Sequence, residues 1–333
     1  MSPELTERRP VSPPPGWDLD EAPFHAGEIA VQMRAGVREK AEIGGRRSIR
    51  RYMPDQHRQF FAQLPFIVLG GIDAQGQPWA TLRIGEPGFV SSPDAGTLRI
   101  AGEMLDGDPL VDAWRTGAVL GGLGIEPPTR RRNRVNGVVT DDADGALMVQ
   151  VRQSFGNCAK YIQSRTPERI PAREVDSTRA PQHRSATLDA ADRALIARSD
   201  TYFIATRSTL RDDAPSQGVD VSHRGGLPGF VRVEDESTFL APDYRGNQFF
   251  NTLGNIVEDS RAGLLFIDFD NGDVLYIAAR AEIVWEGAAL DEFSDAQRLV
   301  RFKVEQVRRS PSALPFRWSA VEYAPQWRVS GAE

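Results

Sequence analysis

Gly85-Glu86-Pro87-Gly88-Phe89-Val90 returns as Gly226-Leu227-Pro228-Gly229-Phe230-Val231, an offset of 229 − 88 = 141 residues. Thr97-Leu98 returns as Thr238-Phe239 at the same spacing. The turn Leu105-Asp106-Gly107-Asp108 has its counterpart in Tyr244-Arg245-Gly246-Asn247, with the offset slipped to 246 − 107 = 139. A slip confined to a turn is what two diverged copies of one unit leave behind, and self-similarity governs every later reading of a chain. Two related halves can face each other as dimer subunits do, and a cleft between them favours small ligands.

Around the first copy, 66–69 reads as a buried strand, 73–78 as a turn and 79–84 as the partner strand. Phe89-Val90 and 97–100 add a hairpin, 109–115 a short helix, and 118–120, 133–139 and 146–154 further strands. Around the second copy, strands are expected at 202–206 and 219–222, with a hairpin from 230–233 and 238–240. A helix over 247–258 carries Phe249, Phe250, Leu253, Ile256 and Val257 on one side. Strands at 262–269 and 274–285 meet at Asp270-Asn271-Gly272-Asp273, and 300–307 alternates apolar and charged residues. Many short strands with one inserted helix per unit indicate a small, mostly antiparallel barrel. The helix–strand alternation of a dinucleotide-binding sheet is missing, so Gly121-Gly122-Leu123-Gly124 reads as tight strand packing rather than a phosphate fingerprint.

Before the first unit, Ile29, Met33, Val37 and Ala41 recur at helical spacing, and Gly44-Gly45 is read as the stop. A second short helix starts at Asp55 and carries Phe60 and Phe61. Between the units, 188–198 reads as a helix capped by Thr187, with Leu188, Ala191, Leu195 and Ile196 inward. The expected division is a tail at 1–22, N-terminal helices plus a first barrel at 23–165, a linker at 166–186, a second barrel at 187–320 and a tail at 321–333.

The length of 333 residues suits two cores rather than one. A net charge of −6 gives no reason to expect nucleic acid or an anionic membrane as partner. No apolar run approaches the roughly 20 residues of a membrane span, and the Pro13-Pro14-Pro15 start lacks a leader's apolar core. A cytoplasmic location is the expectation. The single Cys158 excludes an intramolecular disulfide and argues against a cysteine-based zinc site. Arg130-Arg131-Arg132-Asn133-Arg134 has two readings, a solvated loop or an anion-binding lip.

Three clusters carry the chemistry. Residues 241–247 lie between a strand and a helix, where unsatisfied N–H groups favour phosphate and Arg245 offers a planar contact. Asn247, Asn251 and Asn255 would share one helical stripe, either toward a ligand or as a plain polar face. The second cluster is Asp220-Val221-Ser222-His223-Arg224-Gly225-Gly226, where His223 is a satisfied histidine or a ligand neighbour. The third spans 153–163, where Asn157, Lys160 and Tyr161 could reach the cleft and Cys158 reads as a small buried residue.

These clusters, with Phe24-His25-Ala26-Gly27-Glu28 and 85–90, resemble the pyridoxamine 5'-phosphate oxidase-like family of FMN-binding split barrels, in particular its tandem, uncharacterised flavoprotein branch. The resemblance covers about 24–318 and is fuller in the second half. It implies an α+β protein, mainly β, with two tandem split barrels forming a pseudo-dimer and a flavin held between them. The phosphate contacts it implies are Ser222 and Arg224 on the strand side and Asp243, Tyr244, Arg245 and Asn247 at the turn; Asn251, Asn255 and Asn157 are further cofactor contacts, and Lys160 and Tyr161 are the candidates near the flavin ring. Asp106 and Asp108 stand where the first unit would need its own phosphate contacts, so one working pocket is expected, not two. Arg317-Trp318 could face the flavin, but the Arg-His ending of the vitamin B6 oxidases is absent.

The implied function is a flavin-dependent oxidoreductase acting on a small molecule, with FMN as cofactor ahead of FAD, a deazaflavin or haem. The alternative is a non-catalytic flavin or haem carrier, for which His223 and His25 are the candidate axial ligands. No metal site or obligatory acid or base stands out. A homodimer is compatible with the pattern.

Overall fold

The computed structural model describes residues 16–142, 145–171, 180–210 and 213–327. The expected tails at 1–22 and 321–333 and the expected linker fall partly outside these residues.

The chain opens with α1 (Ala26–Arg34), α2 (Arg38–Ser48) and α3 (Asp55–Ala62). The single helix expected over 29–41 is broken, because Gly36 adopts φ 69°, a left-handed turn that glycine makes without a Cβ clash. Met33 is consequently 66% exposed rather than part of an inward stripe. Gly44 and Gly45 lie inside α2 instead of ending it. A Cβ on Gly45 would stand 2.5 Å from the Phe24 ring, so this glycine serves close packing.

The first sheet is built from β1 (Phe66–Ile72), β2 (Pro78–Ile84), β3 (Val90–Asp94), β4 (Thr97–Ile100), β5 (Glu103–Met104), β6 (Val119–Glu126), β7 (Arg131–Asp141) and β8 (Leu147–Gly156). Residues 109–113 form successive turns, not the expected helix. Asp108 Oδ1 accepts the Leu110 N–H at 2.8 Å, an alternative to helical bonding in a segment too short to repay nucleation.

Two short strands, β9 (Pro167–Arg169) and β10 (His183–Ser185), lie in the range expected as linker. The helix that follows, α4 (Ala190–Arg198), is capped by Asp189, not Thr187, in a reciprocal box with Asp192. Ala191 is exposed and Asp192 is the inward residue, held by Arg309.

The second sheet comprises β11 (Thr201–Arg207), β12 (Val219–Gly225), β13 (Arg232–Val233), β14 (Thr238–Tyr244), β15 (Arg261–Ile267), β16 (Val274–Val284) and β17 (Ala296–Ser310). Between them lie α5 (Asn251–Glu258) and α6 (Ala288–Asp291), and β18 (Phe316–Trp318) closes the series. β10 pairs with β17, and β18 with β9, so the linker range is stitched to the second half.

The two sheets share one topology. The first runs β3-β4-β8-β7-β6-β1-β2, with β5 added at the β2 edge, and the second runs β13-β14-β17-β16-β15-β11-β12. The repeated hexapeptide makes the same turn in both. Gly85 N donates to Pro65 O and Gly226 N to Asp200 O, each at 3.0 Å. Gly88 and Gly229 take φ 99° and 90°, and the rings of Phe89 and Phe230 lie over Gly85 and Gly226, leaving no room for a Cβ.

One apolar cluster packs in the first half around Ile67, Leu98 and Val149, and another in the second around Phe239, Phe266 and Phe302. A third straddles both halves, joining Val68, Trp79 and Leu82 to Phe203, Leu265 and Tyr276. Each large side chain buried this way contributes about 1.5–3 kcal/mol. The architecture is thus N-terminal helices followed by two half-barrel sheets, joined face to face as the repeat suggested. No helix among the described residues is long and apolar enough to cross a membrane.

Candidate functional site

The strands at the junction leave a cleft with walls from both halves. Leu123, Arg132, Arg134, Asn157, Cys158 and Tyr161 come from the first. The second gives the end of β12 from Ser222 to Gly225, the turn after β14, and the first residues of α5.

The run Arg130–Arg134 resolves the ambiguity seen in sequence. Its residues from Arg131 onward form β7, where alternate side chains share a face. Arg131 points outward and stacks on Phe60, while Arg132 and Arg134 point into the cleft. Arg134 is 3% exposed, pairs with Asp220, and donates to Ser222 Oγ at 2.6 Å. Arg132 is partly open to solvent yet set deep among protein atoms. Its Nε donates to Cys158 O at 2.8 Å and its Nη1 to His223 Nδ1 at 3.1 Å. No carboxylate pairs with it among the described residues. Loss of hydration, with Arg224 and Arg134 nearby, pushes it down to about 10.

Arginine can only donate, so His223 Nδ1 is the acceptor and its proton sits on Nε2. Burial first, then Arg132 and Arg224, hold this histidine well below its ordinary range, and it is neutral at pH 7. Asp243 is bound by Arg224 and lies 3.2 Å from Arg298 Nη1, so two cations share one buried carboxylate.

Of the residues singled out from sequence, Ser222, Arg224, Asp243, Tyr244, Asn247, Asn251, Asn157 and Tyr161 line the cleft. Arg245, Lys160 and Asn255 do not. Arg245 is exposed and contributes its backbone, whose carbonyl accepts the Tyr161 hydroxyl at 3.1 Å. Lys160 is exposed, because the left-handed Tyr161 (φ 68°) turns the chain just beyond it. Asn255 is fully buried and donates to Thr206 and Asp220.

The expected asparagine stripe is broken for a local reason. Gln248 and Phe250 take φ 66° and 64°, so the helix begins only at Asn251. Asn247 belongs to the preceding loop and accepts the Phe249 N–H at 3.1 Å. Val257, expected inward, is 54% exposed. Cys158 is half-buried at the cleft rather than in the core. Trp318 packs on Phe66 and Phe269 outside the cleft walls. Sequence reasoning left Arg132 and Arg134 as one of two readings of the arginine run and missed Thr252 and Gln248 as cleft residues. The period-two spacing of Arg132 and Arg134 was a usable signal, whereas the left-handed loop had none.

Rings gather at the mouth. Tyr161 lies 5.3 Å from Tyr244 and 5.5 Å from Trp327, between ring centroids. Burial raises Tyr161 and pushes Tyr244 up to about 12, so both hydroxyls stay protonated near neutrality.

The first half's equivalent place is filled. Thr81 and Arg83 correspond to Ser222 and Arg224 by the 141-residue offset (222 − 81 and 224 − 83). There the Thr81 hydroxyl donates to the buried Asp108, and Arg83 donates to Gly145 O. Asp108 thus meets the Thr81 hydroxyl with a carboxylate of the same half.

Orphaned donors test what the cleft could hold. Arg134 Nε and Asn157 Nδ2 are buried without a hydrogen-bond partner. With the uncompensated Arg132, this donor set suits an oxygen-rich anion such as a phosphate monoester.

Residues 188–324 match the family model described as pyridoxamine 5'-phosphate oxidase, so the second half is related at family level to these split-barrel proteins. No curated protein matches the chain. Among solved structures, the chain is similar to HupZ of Group A Streptococcus, at 17% identity over 38% of this chain and 98% of that one, with a TM-score of 0.30. It is similar to an FMN-binding protein of Syntrophomonas wolfei at 14% identity, over 35% of this chain and 82% of that one, with a TM-score of 0.27. A FAD-binding protein of Mesorhizobium loti matches at 12% identity, over 38% of this chain and 96% of that one, with a TM-score of 0.25. All three scores are low.

Proposed function

We propose that the cleft holds FMN by its phosphate and that the protein is a flavin-dependent oxidoreductase acting on a small molecule. The observation that carries the reading is Arg132, a deep-set guanidinium with neutral partners only. A charge kept there without a carboxylate is costly unless an anion visits it. The family-level match over 188–324 supports a flavin as that anion's bearer.

In this reading Arg132 and Arg134 neutralise the phosphate, with Asn157, Asn247 and Ser222 supplying further polar contacts. When bound, the flavin supplies hydride or electron transfer. The neutral His223 and the protonated Tyr161 and Tyr244 leave the cleft's positive charge to the arginines. The division into two barrels with one shared site is part of the same proposal.

The haem alternative fits less well. His223 accepts from Arg132 at Nδ1 and so carries its proton on Nε2, the nitrogen an iron would take, and His25 Nε2 is buried 3.6 Å from Glu28 rather than facing the cleft. Purification with absorbance and mass spectrometry tests the proposal. A yellow protein releasing FMN on denaturation is expected; a colourless protein that ignores added FMN overturns it. Bound flavin that no donor or acceptor turns over would mark a carrier instead.

A further inference from the structure

Helices α1 and α5 meet at a pair of glycines. A Cβ on Gly27 would stand 2.2 Å from Gly254 O, and one on Gly254 2.5 Å from Glu28 N. This approach forces Glu28 against α5 and away from water, at 2% exposure. Glu28 Oε2 accepts from His25 N at 2.9 Å, and Oε1 accepts from Asn251 Nδ2. Asn251 is itself a wall of the anion cleft.

Charged groups face Glu28 from every side. His25, also on the α1 end, places Nε2 3.6 Å from Glu28 Oε2, and that nitrogen has no hydrogen-bond partner. Glu258 of α5 lies 2.9 Å from His25 Nδ1. Asp220 of β12 approaches from below, its oxygens taken by Arg134, Asn136 and Asn255. Arg134 of β7 is the one guanidinium of the group and also a cleft wall. Fully ionised, three carboxylates would meet two cations in a space with little water. An anion arriving beside Arg134 and Asn251 adds further negative charge to that imbalance.

We infer that the cleft takes up a proton as it takes its anion, and that the clasp of Glu28 and His25 between α1 and α5 holds it. The inference rests on the anion reading of the cleft given above. Glu28 is a positioning residue here: it touches Asn251 and the helix start, not the ligand. Burial first, with Asp220 adding to it against the pull of His25, already raises Glu28 to about 7. A bound anion acts in the same direction as Asp220. Below that pH the clasp already carries the proton and binding needs no uptake. Above it the proton must come from solvent, so affinity falls as pH rises.

Inorganic sulfate is the probe, since its charge is constant through neutrality, whereas a phosphate's own ionisation would mask the effect. Calorimetry in two buffers of different ionisation enthalpy counts the protons. Wild type should take up a fraction of a proton per sulfate between about pH 7 and 8.5, larger the further the clasp shifts, and almost none at about pH 6, with affinity at the higher pH weaker by up to about tenfold for each unit of that shift. Glu28→Gln, which leaves only His25 to take the proton, should take up less than the wild type and show a weaker pH dependence of affinity. Sulfate bound in an Arg132-dependent way without proton uptake overturns this inference and leaves the anion cleft standing. Sulfate that fails to bind wild type, or binds Arg132→Gln equally well, overturns the cleft reading itself. Should Glu28→Gln fail to fold by circular dichroism, the wild-type proton count decides alone, and His25→Gln, which changes the other half of the clasp, must alter that count.

Discussion

Gly121 stands to Val219 as Gly263 stands to Pro78. A Cβ on Gly121 would lie 2.5 Å from Val219 O, and one on Gly263 2.2 Å from Pro78 O. The two contacts exchange β6 with β15 and β12 with β2, so the halves meet as an isologous dimer would, within one chain. Glycine lets each strand ride directly on the other half's backbone.

Substitution there should therefore act on the whole junction. Gly263→Val is expected to lower stability by about 1–3 kcal/mol, since backbone rather than a movable side chain must give way. Urea unfolding measures it. The same change at the exposed, uncrowded Gly246 should be near neutral, and equal losses at both positions would contradict the contact described.

Ligand affinity should separate the arginines. Arg132→Gln is expected to weaken FMN binding about ten- to a hundredfold, as loss of a charge-assisted bond does. Arg245→Ala should change it less than about twofold, because that side chain lies outside the cleft walls. Fluorescence titration decides, and the reverse order would return the phosphate to the turn after β14.

That contrast shows what the sequence could carry. The paired hexapeptides announce the two sheets, and strands with strong turn signals, such as those flanking Asp270-Asn271-Gly272-Asp273, form where expected. Single residues with unfavourable backbone angles were invisible. Nothing local marks Gln248 and Phe250 for left-handed φ, yet they delay the helix and remove Asn247 from it. Asn255 could not be told from Asn251 by spacing, because tertiary partners decide which one meets the cleft. Arg132 was legible in principle, since a strand reading of 131–134 places it beside Arg134.

Asp108 predicts a pH effect on stability. Burial is the main reason its carboxyl is raised from the ordinary 3.8 to about 6. The native state therefore holds that proton more tightly than the unfolded chain. The stabilisation is complete below about 3.8 and is lost as pH rises through about 6. Asp108→Asn keeps an acceptor for Leu110 N and should remove this contribution, seen as a flatter unfolding midpoint between those values. An unchanged slope would mean that Asp108 is ionised in the fold.

Cys158 offers a direct report on occupancy. It is half-buried among the cleft walls, with its sulfur 3.4 Å from Lys160 N. Alkylation by iodoacetamide should proceed in the free protein and slow severalfold when FMN is added, read by mass spectrometry. Equal rates would place the flavin elsewhere. Cys158→Ser should bind FMN as wild type does.

Because the arginines of the cradle come from β7 and its closing turn from the strand–helix junction beyond β14, neither half synthesised alone would own a complete receptacle. Fragments corresponding to the two sheets would have to find each other first, and flavin capture would then report reassembly in place of enzyme activity.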